Sequence, residues 1–417
     1  SHLSLFQYLM HYKLKKIAGI DCLFAPMQEG NSITIDISIK AWSLYENPEE
    51  AGISHFLEHM FFKWGKKRKT PQEVAIAMDK IWAYFNASTG KASTSYYVKC
   101  APQFALNGLE MLADMLIDAT FQSEELEREK GVVIQELKMY EDNPQQVLWK
   151  KRATFFIGDN AFGRPIIWYE ETINTFSREM LFAYKEKLYT KDNILITIAG
   201  NISDQAKLEE QIEKLFSSLP EKKSRQKPDF HRTLPEKHSD FFIKNTEQNR
   251  IIISAPGFSI KDEKLLPAAN LLCTILWGNM SSRLFQNIRE KSGLCYSIHA
   301  GHASNEEYGY FYISAGLDKN KFIEGVEKIH QEIDHLITEG FSDEELENAR
   351  NFKIWSLQMG IESSDEMADF LSSQQLLEGK IETIQDIINQ YQSVSREEIE
   401  ALFPYLRRDQ RRSYHIE

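Results

Sequence analysis

No stretch of this 417-residue chain approaches the ~18 consecutive apolar residues that a membrane-spanning helix requires. A membrane span is therefore not expected. Cysteine is scarce: Cys22, Cys100, Cys273 and Cys295 are widely scattered, form no C-x-x-C pair and resemble no disulfide framework. Their scarcity points to a reducing, cytoplasmic home, and Cys295 reads as a small buried hydrophobe. Positive charge is in deficit, with 49 Lys and Arg against 61 Asp and Glu and a net charge of -12. That balance argues against a nucleic-acid partner and mildly favours basic peptides as ligands. Residues 1–10 hold a short apolar run with no basic region before it, so no signal peptide is expected there.

What is present is the composition of a soluble globular protein, 42% hydrophobic and 26% charged. The length allows two or more domains with sizeable cores. Against that background one pentapeptide stands out, His55-Phe56-Leu57-Glu58-His59. Helical residues four apart share a face one turn apart, so His55 and His59 can aim ring nitrogens at a single ion. Zinc accepts neutral imidazole at about 2.0–2.1 Å, and a catalytic zinc takes three protein ligands plus water. Glu58 stands beside His59 and one turn from His55, near the metal without being its ligand, where a general base takes a proton from water. Two solvated histidines on a surface helix would carry the same pattern. A third ligand decides between the readings.

Residues 123–140 read as a helix, with Ser123 as N-cap, acidic residues in the first turn and Asn143-Pro144 as the stop. Glu129 and Glu136 lie seven apart, two turns along one face, and Glu136 is flanked by Ile134, Leu137 and Met139. A carboxylate in so apolar a stretch wants a partner, whereas Glu124, Glu125 and Glu127 read as a solvated acidic face.

In its context Gly52-Ile53-Ser54-His55-Phe56-Leu57-Glu58-His59-Met60, followed by Glu136 after 76 intervening residues, the motif resembles the inverted zinc-binding motif of the pitrilysin superfamily, which includes insulin-degrading enzyme and the mitochondrial processing peptidases. The resemblance implies that His55, His59 and Glu136 bind one zinc ion per chain, that Glu58 is the base and that Glu129 supports the site from behind. It implies further that Asn86-Ala87, with Thr94-Ser95-Tyr96-Tyr97-Val98, forms an edge strand that pairs with an extended peptide, and that Phe56 also touches substrate. An ordinary core strand would read the same way. Arg289 and Tyr296, within Ile288-Arg289-Glu290-Lys291-Ser292-Gly293-Leu294-Cys295-Tyr296, match the motif whose Arg and Tyr hold substrate and polarise its carbonyl. One departure is Trp82-Ala83, where the family commonly has paired glycines, so the turn there is expected to form without the freedom of glycine at positive φ.

By the same resemblance the protein is a zinc metalloendopeptidase acting on short or unfolded polypeptides in a closed chamber. Large members close four such domains around the substrate, whereas this chain supplies two. A homodimer that completes each site in trans is therefore expected. The alternatives within the fold are a non-catalytic core-protein-like subunit, which typically has a degraded metal motif, and a dedicated maturase of one precursor peptide.

The chain also repeats itself. Placing residues 121–139 over 341–359, an offset of 220, gives eight identities in nineteen: Phe121/Phe341, Glu124/Glu344, Glu125/Glu345, Leu126/Leu346, Glu127/Glu347, Ile134/Ile354, Leu137/Leu357 and Met139/Met359. A duplicated domain explains this. Glu129 falls opposite Ala349 and Glu136 opposite Ser356, so only the first copy is expected to hold a metal.

Ile33, Ile35, Ile37 and Ile39 alternate with polar residues and predict a half-buried strand. Residues 193–200 and 250–254 predict further strands, and 104–119, 265–277 and 321–337 predict helices. Tyr308, Tyr310 and Tyr312, at period two, predict strand packing or surface rather than a cofactor box. The polar, proline-bounded stretch 220–228 reads as linker. The expected fold is α+β, with two homologous domains that are each a mostly antiparallel sheet covered by helices. A metal-binding domain is expected over 1–219, a linker over 220–238, and a second domain carrying Arg289 and Tyr296 over 239–417.

Overall fold

A computed structural model describes residues 11–28, 30–41, 43–63, 65–90, 93–166, 170–221, 230 and 233–417. Residues 1–10 and most of the expected linker at 220–238 lie outside the described residues. The strands are β1 (Lys13–Ile17), β2 (Ile20–Pro26), β3 (Ile33–Ile39), β4 (Tyr84–Thr89), β5 (Thr94–Cys100), β6 (Ile194–Gly200), β7 (Ser239–Phe242), β8 (Asn249–Gly257), β9 (Cys295–Ser304), β10 (Gly309–Leu317) and β11 (Arg412–Ile416). The helices are α1 (Ile53–Phe61), α2 (Pro71–Lys80), α3 (Ala105–Leu116), α4 (Ser123–Asp142), α5 (Pro144–Ile157), α6 (Glu170–Thr175), α7 (Arg178–Leu188), α8 (Gln205–Phe216), α9 (Leu266–Leu276), α10 (Phe322–Glu339), α11 (Asp343–Met359), α12 (Ser364–Glu378), α13 (Ile384–Ser393) and α14 (Arg396–Glu400).

The chain forms two compact units, each with one sheet. The first comprises residues 1–138, 165–228 and 360–381, and the second comprises 139–164, 229–359 and 382–417. Each unit thus contains a helix from the other half of the sequence. The first sheet runs β1-β2-β6-β3-β5-β4 and the second β7-β11-β8-β10-β9. Both are antiparallel except for one pair apiece, β2 with β6 and β7 with β11. The repeat is legible in the helices, since α4 and α11 begin at Ser123 and Asp343, positions that the offset makes equivalent.

In the first unit, β3 is buried on both faces rather than one. The reason is α12, which packs across β3 and β6 on the face that the alternation assigns to solvent. Met367, Ala368, Leu371 and Leu376 of α12 meet Leu23, Ala25, Leu195 and Ala199. The rest of that contact is polar: the Ser364 hydroxyl bridges Thr34 at 2.8 Å and Ser32 at 2.9 Å. Asp36 lies buried beside them and accepts from the hydroxyls of Ser38 and Ser95. Burial pushes its carboxyl up to about 6, against the opposing effect of those two hydrogen bonds.

The second unit is built the same way, with α5 on β8 and β11. Leu148, Ile252, Tyr414 and Ile416 form the apolar part of the contact. At its centre the buried Arg152 donates through Nε to Ser254 Oγ at 2.7 Å and sits 3.9 Å from the ring centroid of Tyr310. Trp149 meets Tyr312 edge-on at 5.2 Å. Tyr310 and Tyr312 of β10 are packing for α5, whereas Tyr308, just before the strand, meets Phe162 edge-on at 5.9 Å.

Candidate metal centre

Helix α1 begins where Gly52 adopts φ +91°, a left-handed conformation that glycine takes without strain. Glycine has no side chain with which to cap the first amides. Glu46 supplies the acceptor instead, taking the N–H of Gly52 on Oε2 at 2.8 Å and that of Ser54 on Oε1 at 3.0 Å. The Glu46 carboxyl is buried, and burial pushes it up to about 7 despite those hydrogen bonds. Tyr184 of α7 holds the next point, its hydroxyl 2.6 Å from Ser54 Oγ. Below them Phe56, Leu57, Met60 and Phe61 are buried, the Phe61 ring lying between Tyr96 at 5.5 Å and Tyr189 at 5.2 Å. The apolar face of α1 thus fixes its rotation and leaves His55, Glu58 and His59 on the other side.

The two imidazoles lie edge to face with centroids 4.6 Å apart. Glu136 of α4 faces both: its Oε2 is 3.2 Å from His59 Nε2 and 3.7 Å from His55 Nε2. Ligands about 2.0–2.1 Å from a tetrahedral ion stand roughly 3.4 Å apart, so the separations of Glu136 from the two histidines are close to those zinc needs, and the three donor atoms all lie within 4.8 Å of one another. Among the described residues, His55, His59 and Glu136 are the one group of His, Cys, Asp or Glu side chains with this convergence. Their chemistry, two imidazoles and a carboxylate, suits zinc and could also hold cobalt or manganese.

Glu129, also on α4, accepts from the Nδ1–H of His59 on Oε1 at 2.8 Å, and it fixes the ring so that Nε2 faces Glu136. Lys63 Nζ stands 2.8 Å from the other Glu129 oxygen. Burial opposes charge on His59, but hydrogen bonds to Glu129 and Glu136 outweigh it and raise the imidazole to about 9. His55 goes the other way, lowered to about 4 by burial and by the neighbouring His59. Burial likewise works against the Glu129 charge, yet His59 and Lys63 hold that carboxyl below its ordinary range. Glu136 is held low chiefly by its hydrogen bond to His59. Glu58 is pushed up by burial, partly offset by a hydrogen bond from the Thr89 hydroxyl.

Thr89 closes β4, the outermost strand of its sheet. Asn86 and Ala87 lie on the same strand, whereas 94–98 belong to β5, one strand inward. Phe56 does not fit the expected contact with substrate: it is 0% exposed and packs 5.3 Å from Phe176, so its ring is core. Glu125 likewise departs from the solvated face expected of it, being buried and paired with Arg128. Trp82 takes φ +51° itself, so the turn before β4 uses the conformation that glycine would have eased, while the indole stands 87% exposed. Arg289 and Tyr296 are surface residues of the second unit. The Arg289 guanidinium stacks 4.7 Å over Phe285 within a π-helical turn at Phe285–Glu290, and Tyr296 is 76% exposed at the start of β9. Sequence reasoning missed Glu46, Lys63 and Thr89. Only Lys63 carried a signal, its spacing of four from His59.

Comparison with known proteins agrees with this geometry. Residues 26–168 match the family model described as insulinase, peptidase family M16, and residues 175–353 match the one described as the peptidase M16 inactive domain. The chain is 36% identical over 89% of its length to an uncharacterized zinc protease of Bacillus subtilis, YmxG, covering 89% of that protein. It is 35% identical over 84% of its length to an uncharacterized zinc protease of Rickettsia bellii, covering 83% of it. Its fold superposes on a crystal structure of a protease from Helicobacter pylori with a TM-score of 0.88 at 19% identity, over 98% of this chain and 100% of that one.

Proposed function

Because the chain belongs to peptidase family M16, we propose that it is a zinc-dependent endopeptidase cleaving short or unfolded polypeptides. The observation that carries this reading is the convergence of His55 Nε2, His59 Nε2 and Glu136 Oε2, with the Glu58 carboxylate beside them. The inactive-domain match over residues 175–353 agrees with a repeat that has Ala349 in place of the first glutamate, and Ser356, just beyond the match, replaces the second. Intact donor positions in the first half favour a catalytic chain over a scaffold.

In this reading His55, His59 and Glu136 hold one zinc ion, with Glu129 orienting His59. A bound zinc ion supplies Lewis acidity, making a nearby water easier to deprotonate and a peptide carbonyl easier to attack. Glu58 takes the proton from the attacking water. Its raised pKa suits it to hold that proton and then pass it to the leaving amine. Thr89 donates to Glu58 and so keeps one of its oxygens turned toward the end of β4. The outer edge of β4 offers backbone groups to an extended peptide, a mode of recognition that selects unfolded chain more than sequence. Arg289 and Tyr296 brace the substrate from a second copy of the chain, so the active form is a homodimer whose enclosed chamber admits flexible polypeptides.

The test is product mapping by mass spectrometry after incubation with a mixed peptide library, with and without a chelator. Chelator-sensitive cleavage of unstructured peptides is expected. Intact peptides in both arms would leave the scaffold reading standing.

A further inference from the structure

Glu129 is 1% exposed, and its carboxylate sits directly behind His59. Its Oε1 is occupied by His59 Nδ1, whereas no donor is aligned on Oε2 for a hydrogen bond. What faces Oε2 is the ammonium of Lys63 at 2.8 Å. Among the described residues, no other Lys or Arg lies within 4.0 Å of Glu129. The pair is lopsided in burial, with 2% of the Glu129 side chain exposed against 26% for Lys63. A surface ion pair contributes little, but with His59 neutral on a metal a carboxylate this deeply buried that lost Lys63 would be left as an uncompensated charge.

The position of Lys63 follows from helix α1. The turn continues past Phe61, where the N–H of Lys63 donates to Met60 O at 3.2 Å, and this brings residue 63 one turn beyond His59. Charge balance points the same way. Three carboxylates surround the site, Glu58, Glu129 and Glu136, and with neutral imidazoles they balance one divalent ion and one ammonium. Without Lys63 the loaded site would carry a net negative charge in a partly buried place.

We propose that Lys63 is a positioning residue of the metal centre, neutralising Glu129 and holding its carboxylate where it fixes the His59 ring with Nε2 toward the ion. The assignment rests on the zinc-peptidase reading given above. Zinc is titrated, in competition with a chelating indicator, into the wild-type protein, Lys63→Met, Lys63→Arg, Glu129→Gln and the Lys63→Met/Glu129→Gln double variant. Thermal unfolding of each metal-free protein is followed in parallel.

Lys63→Met is expected to weaken zinc binding about ten- to a hundredfold, the range for losing an outer partner of a ligand, and Lys63→Arg to restore most of it. In the Glu129→Gln background, Lys63→Met should add less than about twofold, because the lysine acts through that carboxylate. An unchanged dissociation constant in Lys63→Met overturns the assignment, as does a full further loss in the double variant. A loss of metal-free thermal stability with zinc binding intact marks a purely structural ion pair and overturns it too. Should Lys63→Met not fold, Lys63→Gln takes its place in the same cycle. Wild-type protein that binds no zinc overturns the zinc-peptidase reading itself, so the two failures are distinguishable.

Discussion

Glu46 accepts the backbone N–H of Ser54 at 3.0 Å, and Ser54 is the residue immediately before the first motif histidine. A buried carboxylate eight positions upstream thus does what a capping side chain does at most helix starts. It frees position 52 for a glycine at φ +91° and places the first turn of α1 against Tyr184.

Removing that acceptor leaves two backbone amides without a partner. Glu46→Ala should lower stability by about 1–3 kcal/mol, read from urea denaturation, with Glu46→Gln costing less because one amide oxygen still accepts. Equal stability of Glu46→Ala and wild type would mean that water caps the helix instead.

Asp36 gives a pH signature. Its folded pKa of about 6 lies above the ~3.9 of an unfolded aspartate, so the fold favours the protonated form. The stability this contributes is fully present below about pH 4 and is lost as pH rises through about 6. Asp36→Asn should therefore match wild type below about pH 4 and exceed it by about 3 kcal/mol at pH 8, a rise of about two pKa units being worth ~1.4 kcal/mol each. A constant difference across that range would show that Asp36 is ionised throughout. Asp369, the charged group of α12 that faces Asp36, raises the shift further.

Direct donors should matter more than their supports. His55→Ala, His59→Ala and Glu136→Gln are each expected to weaken zinc binding by more than the ~100-fold that outer partners cost, as measured by competition with a chelator. A Glu136→Gln protein that binds zinc like wild type would remove the third ligand from the account.

Much of this was legible in the sequence because it is local. The spacing of His55 and His59 is a property of one helix, and Glu129 and Glu136 of another, so periodicity alone put each pair on one face. The repeat likewise showed two related halves. What could not be read is non-local. The alternation of β3 correctly assigned its isoleucines to one face but left Thr34, Asp36 and Ser38 facing solvent, because nothing near them says that α12, some 330 residues on, covers that face. Phe56 failed in a related way: a residue between metal ligands on a helix can point to the core as easily as to the substrate. Glu46 was invisible because the usual capping signals look one residue from the helix, not seven.

The shared-site dimer has its own test. Glu58→Gln and Arg289→Ala are each expected to be inactive, by about 10²–10⁴-fold for loss of the base. Mixing them under conditions where subunits exchange should restore part of the activity, because half of the sites in each mixed dimer would receive an intact Glu58 and an intact Arg289. No recovery despite proven exchange would mean that each chain works with its own residues.

The most direct measurement is made on Glu58→Gln alone, with zinc content and peptide cleavage determined on the same preparation. One zinc ion per chain is expected, as in wild type, with cleavage of an unstructured peptide reduced by about 10²–10⁴-fold. Zinc retained with hydrolysis unimpaired would contradict the role of Glu58 as base.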